Sequence, residues 1–459
     1  MERDESRHTL LDSIADLRAR GVGNAQNQVM ESAGKFEKIR ALAGGADAAI
    51  FGAGASGRAA AELLKRAGVG FSVYAQDAGA PDFAAKPFGA GAAKAHRLVV
   101  YSPAFRPDHE WIRIAEESGA AAICEPDLSA LAWEGKIYAV TGTNGKTTLA
   151  SFLERALNLA GIRAVAAGNI GRPLSAFCAE MEDSSNAAAV CELSSFQTSR
   201  LKFLRPDALL WTNFAPDHLD WHKDMREYFC AKFNLVKALR GELLFISKDV
   251  AEAAEEYGME MPAFAKIPAD MAPSACPKPF GTSVQSRNFA MASEFLKSLG
   301  LQSAAAEAAR GFALPKYRFG EPVEARGVKF YNDSKATNAH AAIAALRELS
   351  GAESLVWIGG GKDKNCDVSE LASEIAKTAK GAALIGQTAG KLAKMLRSSG
   401  VDARVCGSMK EAVEIAAKMA GDGGSVLFSP GFSSFGMFSG YADRGKSFQN
   451  EVLCLKNLK

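Results

Sequence analysis

Residues 141–148 read TGTNGKTT, with a lysine and two threonines set directly behind a glycine turn. The apolar run KIYAV leads into it and the helix-like LASFLERALNLAG leads out. A strand, a tight turn and a helix start aim backbone N–H groups and the positive helix end at an anion. In such a cradle Gly142, Thr143, Asn144, Gly145 and Thr148 would surround phosphates, Lys146 would reach the outer ones and Thr147 would face a Mg2+ ion. This is nucleoside triphosphate chemistry. The spacing departs from GxxxxGK[ST], because Val140 stands where the first glycine belongs, so neighbouring segments must decide what the loop serves.

Glu192 ends the strand-like AAAVCEL and is placed to complete a Mg2+ shell, since that ion takes one or two protein oxygens beside waters and phosphates. The segment APDHLDWH adds Asp217, His218, Asp220 and His222. Two histidines four apart on a helix could hold zinc, but no third nitrogen or sulfur ligand accompanies them at a recognisable spacing. A solvated helix start and a part in the phosphate site are the other readings. Lys335 in NDSKATN, Lys364 in GGGKDKN and the segment SPGFSSFGMF all fall where strands give way to loops, which suggests a pocket for an acid. An earlier turn, GAGASG, has glycines at 52, 54 and 57, with Asp77 twenty residues further on. An NAD site, a nucleotide-diphosphate site and a turn needed only for close packing all fit it.

The elements that must position these residues alternate strand and helix. ADAAIFGAGASGRAAAELLKRAG followed by FSVYAQD reads strand, turn, helix, strand, and LVVYSPA and ESGAAAICEPD continue the alternation to about Trp133. The phosphate loop opens a second α/β unit in which AAAVCELSSFQ and DALLWTNFAPDHLD are strands ending in polar residues. The proline-rich stretch 262–280 predicts a loop, and NFAMASEFLKSLG a helix. From about Leu314 a third unit runs through VKFYNDSKATN, SLVWIGGGKDKN, GAALIGQ and SVLFSPG. Residues 1–45 look helical and polar and carry no motif.

Composition bounds the rest. A chain of 459 residues with 48% hydrophobic and 23% charged residues predicts a globular protein of about three domains. A net charge of +2 with interspersed signs offers no nucleic-acid or membrane surface. Eight singly scattered cysteines argue for reduced thiols. Without a signal peptide or a membrane-length apolar run, a cytoplasmic protein is expected.

Seven segments in one order, TGTNGKTT, GNIG, ELSSFQ, APDHLDWH, NDSKATN, GGGKDK and SPGFSSFGMF, resemble the Mur ligase family from about Ala46 to the end, and NDSKATN is most similar to its D-glutamate-adding member. The resemblance implies an α/β fold of three domains. These would be a Rossmann-like UDP-binding domain over 46–134, a P-loop ATPase-like domain with a parallel sheet over 135–313 and a Rossmann-like amino-acid domain over 314–459, behind an extension of unknown role over 1–45. It also implies small-molecule substrates, namely ATP, UDP-N-acetylmuramoyl-L-alanine and D-glutamate, with no nucleic acid and no membrane insertion; a monomer is expected. A relative joining another amino acid and a noncatalytic precursor-binding protein are the alternatives.

Carried over position by position, Lys146 would contact the β and γ phosphates, Thr147 and Glu192 would hold one Mg2+ and His218 a second. The family's carbamylated lysine falls on Lys232, where a carbamate could ligate metal that an ammonium would repel. Ala55, Ser56, Asp77, Ser102, Asn169 and Ser194 would meet the UDP-substrate, and Gln285, Arg318 and Asp333 the ATP. Lys335 and Thr337 would meet the substrate, and Thr337, Lys364, Ser434, Phe435 and Tyr441 the D-glutamate. The chain departs from the family at Val284 and Gln285, where His-Asn is usual, at Ala104 and Tyr317, and at Gly431, Phe432 and Gly436. The stretch between GELLFISK and RNFAMAS is also short.

Overall fold

The computed structural model describes residues 34–76, 79–80, 83–84, 86–169, 171–363 and 367–457. Asp77 and Lys364, and residues 1–33 of the extension, lie outside the described residues. Among the described residues three larger sheets follow one another along the chain, the first two wholly parallel. The first joins β1 (Ala48–Phe51), β2 (Phe71–Tyr74), β3 (Leu98–Tyr101) and β4 (Ala121–Cys124) in the order β2-β1-β3-β4. Its order reverses at β1, so the crevice beyond Phe51 and Tyr101 is where a ligand of this sheet would lie.

The second sheet holds β5 (Lys136–Thr141), β6 (Ala164–Gly168), β7 (Ala188–Glu192), β8 (Ala208–Trp211) and β9 (Leu243–Ile246) in the order β9-β8-β5-β7-β6, all parallel. Every residue of β7 and β8 is buried, as unbroken apolar runs require when helices cover both faces. The central β5 has β7 on one side and β8 on the other, so the segments leaving those strands flank the turn at 141–148. The third sheet contains β10 (Val323–Ala325), β11 (Val328–Asn332), β12 (Leu355–Gly359), β13 (Gly381–Leu384), β14 (Asp402–Val405) and β15 (Ser425–Phe428), in the order β10-β11-β15-β12-β13-β14. Only the β10–β11 hairpin within it is antiparallel.

Helix α1 (Glu37–Ala43) buries Ile39, Leu42 and Ala43 in the core shared by the first two sheets, so this part of the 1–45 segment is packed structure. Helix α2 (Ala55–Arg66) starts on the GAGASG turn. Two acids in the first turn of helix α3 (Glu125–Ala132) pin the first unit to the second, at the start of helix α5 (Leu174–Glu180) and just after helix α6 (Ser195–Thr198). Glu125 accepts hydrogen bonds from the Ser175 amide (3.0 Å) and the Ser129 hydroxyl (2.8 Å), and Asp127 accepts from the amides of Lys202, Phe203 and Leu204. Both are fully buried, and desolvation holds their pKa values above the usual carboxylate range. Among the described residues no helix is long and apolar enough to cross a membrane.

Candidate active site

Helix α4 (Lys146–Leu159) begins on Gly145, whose φ of 84° is left-handed, and the preceding Gly142 has φ 140°. A Cβ on Gly142 would stand 2.0 Å from Thr212 Oγ1, so only glycine lets the turn lie this close to the end of β8. That neighbour holds the turn in shape. Thr212 Oγ1 donates to the Asn144 carbonyl (2.6 Å), Asn213 Oδ1 accepts from the Asn144 amide (2.8 Å), and Thr143 Oγ1 accepts from the Ala215 amide (3.0 Å). Thr148 is buried, and its hydroxyl has no hydrogen-bond partner among the described residues.

Side chains of four segments meet at this turn. Thr147 Oγ1 donates to Glu192 Oε2 at 2.7 Å, and the other carboxylate oxygen accepts from Asn169 Nδ2 at 3.1 Å. Lys146 Nζ donates to the carbonyls of Gly142 (2.8 Å) and Thr143 (2.9 Å). Lys232, on helix α7 (Met225–Ala238), is only 1% exposed and donates to the same Gly142 carbonyl at 3.0 Å, with Nζ 4.9 Å from the Tyr228 ring centre. Burial and then the neighbouring Lys146 push its pKa well below the ordinary lysine value. Two ammonium groups on one carbonyl repel, so the packing favours either a neutral Lys232 or an anion joining the pair.

His218 lies on the loop after β8, not on a helix. Helix α7 starts at Met225 under an Asp224 cap, and His218 itself has φ 57°. Its amide donates to Asp217 Oδ1 (2.8 Å), and its ring packs edge-on to Phe196. His222 is buried against the Ser195 hydroxyl (2.9 Å), and desolvation lowers its pKa to about 4. The two histidines therefore do not form the helical i, i+4 pair that a zinc site would use, and among the described residues no three His, Cys, Asp or Glu side chains form a metal-holding group. The donors that do converge, a hydroxyl and a carboxylate, are the hard oxygens that Mg2+ prefers.

The C-terminal unit completes the cleft. Arg318, Asp333 and Lys335 line it together with Asn144, Gly145 and Gln285. Arg318 Nε is buried without a hydrogen-bond partner among the described residues. Asp333 accepts from Ser429 Oγ (2.8 Å) and the Phe319 amide (3.0 Å), and burial raises its pKa to about 7. Lys335 Nζ sits 3.8 Å from the Tyr441 ring centre, and desolvation lowers its pKa to about 8. Thr337 is half-buried in the same loop. Ser434 and Phe435 line a separate pocket with Gly360, Gly361, Lys362 and Gln387, and Phe435 is exposed. The buried Arg444 ties these loops together, donating to Ser334 Oγ (3.1 Å), the Ser334 carbonyl (2.8 Å) and the Phe432 carbonyl (2.9 Å).

Ala55 and Ser56 open α2 and Ser102 follows β3, so all three stand at the crevice of the first sheet. Ser194 is a helix cap, bonded to Gln197 in a capping box. The residue reading passed over Thr212, Asn213, Tyr228 and Arg444, which shape the cleft through tertiary contacts. TNF directly after β8 was the available signal for the first two, because polar residues there face the turn at the strand ends.

Family models agree with this geometry. Residues 140–264 match the Mur ligase middle domain, and residues 318–432 match the Mur ligase glutamate ligase domain. The UDP-N-acetylmuramoylalanine--D-glutamate ligase of Chlorobium luteolum is 32% identical, with 90% of this chain and 98% of that protein covered. The chain belongs to the Mur ligase family. The enzyme of the same name from Thermobifida fusca is 34% identical, with 78% of this chain and 85% of that protein covered. Among solved structures, UDP-N-acetylmuramate-alanine ligase MurC from Thermotoga maritima shares the fold, with a TM-score of 0.55 at 15% identity, covering 89% of this chain and 99% of that one.

Proposed function

We propose that this Mur ligase joins D-glutamate to UDP-N-acetylmuramoyl-L-alanine at the expense of ATP, in peptidoglycan precursor synthesis. The single observation that carries the reading is one cleft lined by both the phosphate turn and Arg318, Asp333 and Lys335 of the C-terminal unit, where a nucleotide and an acceptor can meet. A free carboxylate resists amine attack. Transfer of the γ-phosphoryl group to the L-alanyl carboxylate gives ADP and an acyl phosphate; the D-glutamate amine then attacks that carbonyl, forming the amide, expelling phosphate and losing a proton. The protein's part is positioning and charge.

In this reading residues 46–134 serve the UDP moiety through Ala55, Ser56, Asp77, Ser102, Asn169 and Ser194, the last two reaching in from the central domain. Residues 135–313 serve ATP, with Gln285, Arg318 and Asp333 against the nucleoside and phosphates, and residues 314–459 serve the amino acid. Lys146 draws the phosphates into the turn. Thr147 and Glu192 would hold one Mg2+ ion, and His218 with carbamylated Lys232 a second; bound there, such ions would supply positive charge against the phosphate oxygens. The neutral amine that burial favours at Lys232 is the form that adds CO2 and sheds a proton to become a carbamate. Lys335 faces the reacting carboxylate, and Thr337, Lys364, Ser434, Phe435 and Tyr441 hold D-glutamate.

Phosphate release tests the reading. Purified protein with ATP and Mg2+ should release phosphate only when both acids are present, and mass spectrometry should find the new amide. Phosphate release that ignores both acids, or a panel of amino acids in which D-glutamate gives no product, would overturn it.

A further inference from the structure

Asn338 is the last residue of NDSKATN and the cap of helix α9 (Ala339–Glu348). Capping uses one acceptor site, the Ala341 amide donating to Asn338 Oδ1 at 2.9 Å. A second donor reaches the same oxygen, Asn144 Nδ2 of the phosphate turn at 3.3 Å. The Asn338 amide nitrogen in turn donates to Asn144 Oδ1 at 3.1 Å and to Asp217 Oδ2 at 2.9 Å. Both N–H groups and both acceptor sites of this carboxamide are therefore filled, in a side chain only 6% exposed. Asp, Ser or Thr would cap the helix as well. None of them could also donate to the Asp217 carboxylate and to Asn144.

The contact has a counterpart at the other end of the helix. Glu348 Oε1 accepts from the Ser283 amide at 2.6 Å, at the start of helix α8 (Ser283–Ser298) in the central domain. Helix α9 is thus fastened at both ends to the central domain and walls the nucleotide cleft between the two fastenings.

We infer that Asn338 is a positioning residue that locks the C-terminal domain onto the phosphate turn, reading the turn through Asn144 and the loop bearing His218 through Asp217. The inference rests on the proposed ligase reading only for its kinetic consequence. Lys335 stands three residues before Asn338, so this lock fixes where its ammonium meets the phosphate turn.

Charge reversal separates locking from capping. Asn338→Asp keeps a cap acceptor but sets a carboxylate against Asp217, whereas the pair Asn338→Asp with Asp217→Asn restores one donor facing one acceptor. Small-angle scattering of the full chain with a nonhydrolysable ATP analogue should show the single variant expanded and the double variant compact again, with the melting temperature of Asn338→Asp close to the parent. In steady state Asn338→Asp should lose about tenfold or more in kcat while ATP affinity is retained. An Asn338→Asp protein as compact as the parent, or a double variant as open as the single one, would overturn the lock. Scattering does not depend on the identity of the acids, so a parent that closes through Asn338 yet forms no amide with D-glutamate would refute the ligase reading alone.

Discussion

The first and second sheets each present a glycine turn at the head of a helix, and the two turns do different work. In GAGASG the glycines serve proximity: a Cβ on Gly57 would lie 1.9 Å from the Gly52 carbonyl oxygen, and no ionisable side chain occurs between residues 52 and 57. In TGTNGKTT the backbone device is the same, but Lys146, Thr147, Glu192 and Lys232 crowd around it. A glycine turn therefore supplies a place for phosphate, and the side chains brought to it from other strands decide whether anything is done to that phosphate.

The largest effect should come from the charged turn. If Lys146 is the cation at the transferring phosphoryl group, Lys146→Ala should lower kcat by at least about a hundredfold, on the order of 3 kcal/mol of barrier, while the melting temperature holds. Turnover at the parent rate would erase the distinction between the two turns. Lys232→Ala comes next, with a loss on the order of a hundredfold if the residue carries a metal-holding carbamate. A short-chain carboxylate such as acetate should restore part of that activity. If none of a series of such acids does so, the carbamate assignment falls.

Gly57→Ala probes the uncharged turn and should do the reverse. The added methyl meets backbone, which cannot swing aside, so the first unit should lose about 1–3 kcal/mol of stability and, if it is the UDP-binding unit proposed above, its affinity for the UDP-substrate. ATP affinity should stay near the parent value, as measured by calorimetry beside a thermal melt. Equal losses of both ligands would mean that the two turns are not independent.

What was legible in the sequence follows the same division. The strand, glycine turn and helix start at 141–148 could be read because Gly142, Gly145, Lys146 and Thr147 are neighbours in the chain, and the strands beside it are continuous apolar runs. The helical histidine pair that could have held zinc does not form, because the Asp224 cap starts α7 beyond the cluster and leaves His218 in a left-handed turn. Asn338 could be recognised as a cap before AHAAIAALRE, but its bonds to Asn144 and Asp217 span 194 and 121 positions, and no local pattern encodes those. Arg444 was passed over for the same reason, its partner Ser334 lying 110 positions away.

The smallest effect is one of pH, and it reads Asp333, which lines the cleft beside the charged turn. Asp333 holds its proton to about pH 7 in the fold against an ordinary value of 3.8, because burial outweighs the bonds from Ser429 and Phe319. Between those two values the folded state binds more protons than the unfolded chain, so this residue makes stability fall as pH rises from about 4 to about 7. Asp333→Asn keeps the shape and deletes the titration. The melting temperature of the variant relative to the parent should therefore climb by about a few degrees across that window and level off above it. A difference that stays flat would mean that Asp333 is already ionised in the cleft, with Arg318 as its counter-charge, and the electrostatic contrast between the two turns would then rest on the lysines alone.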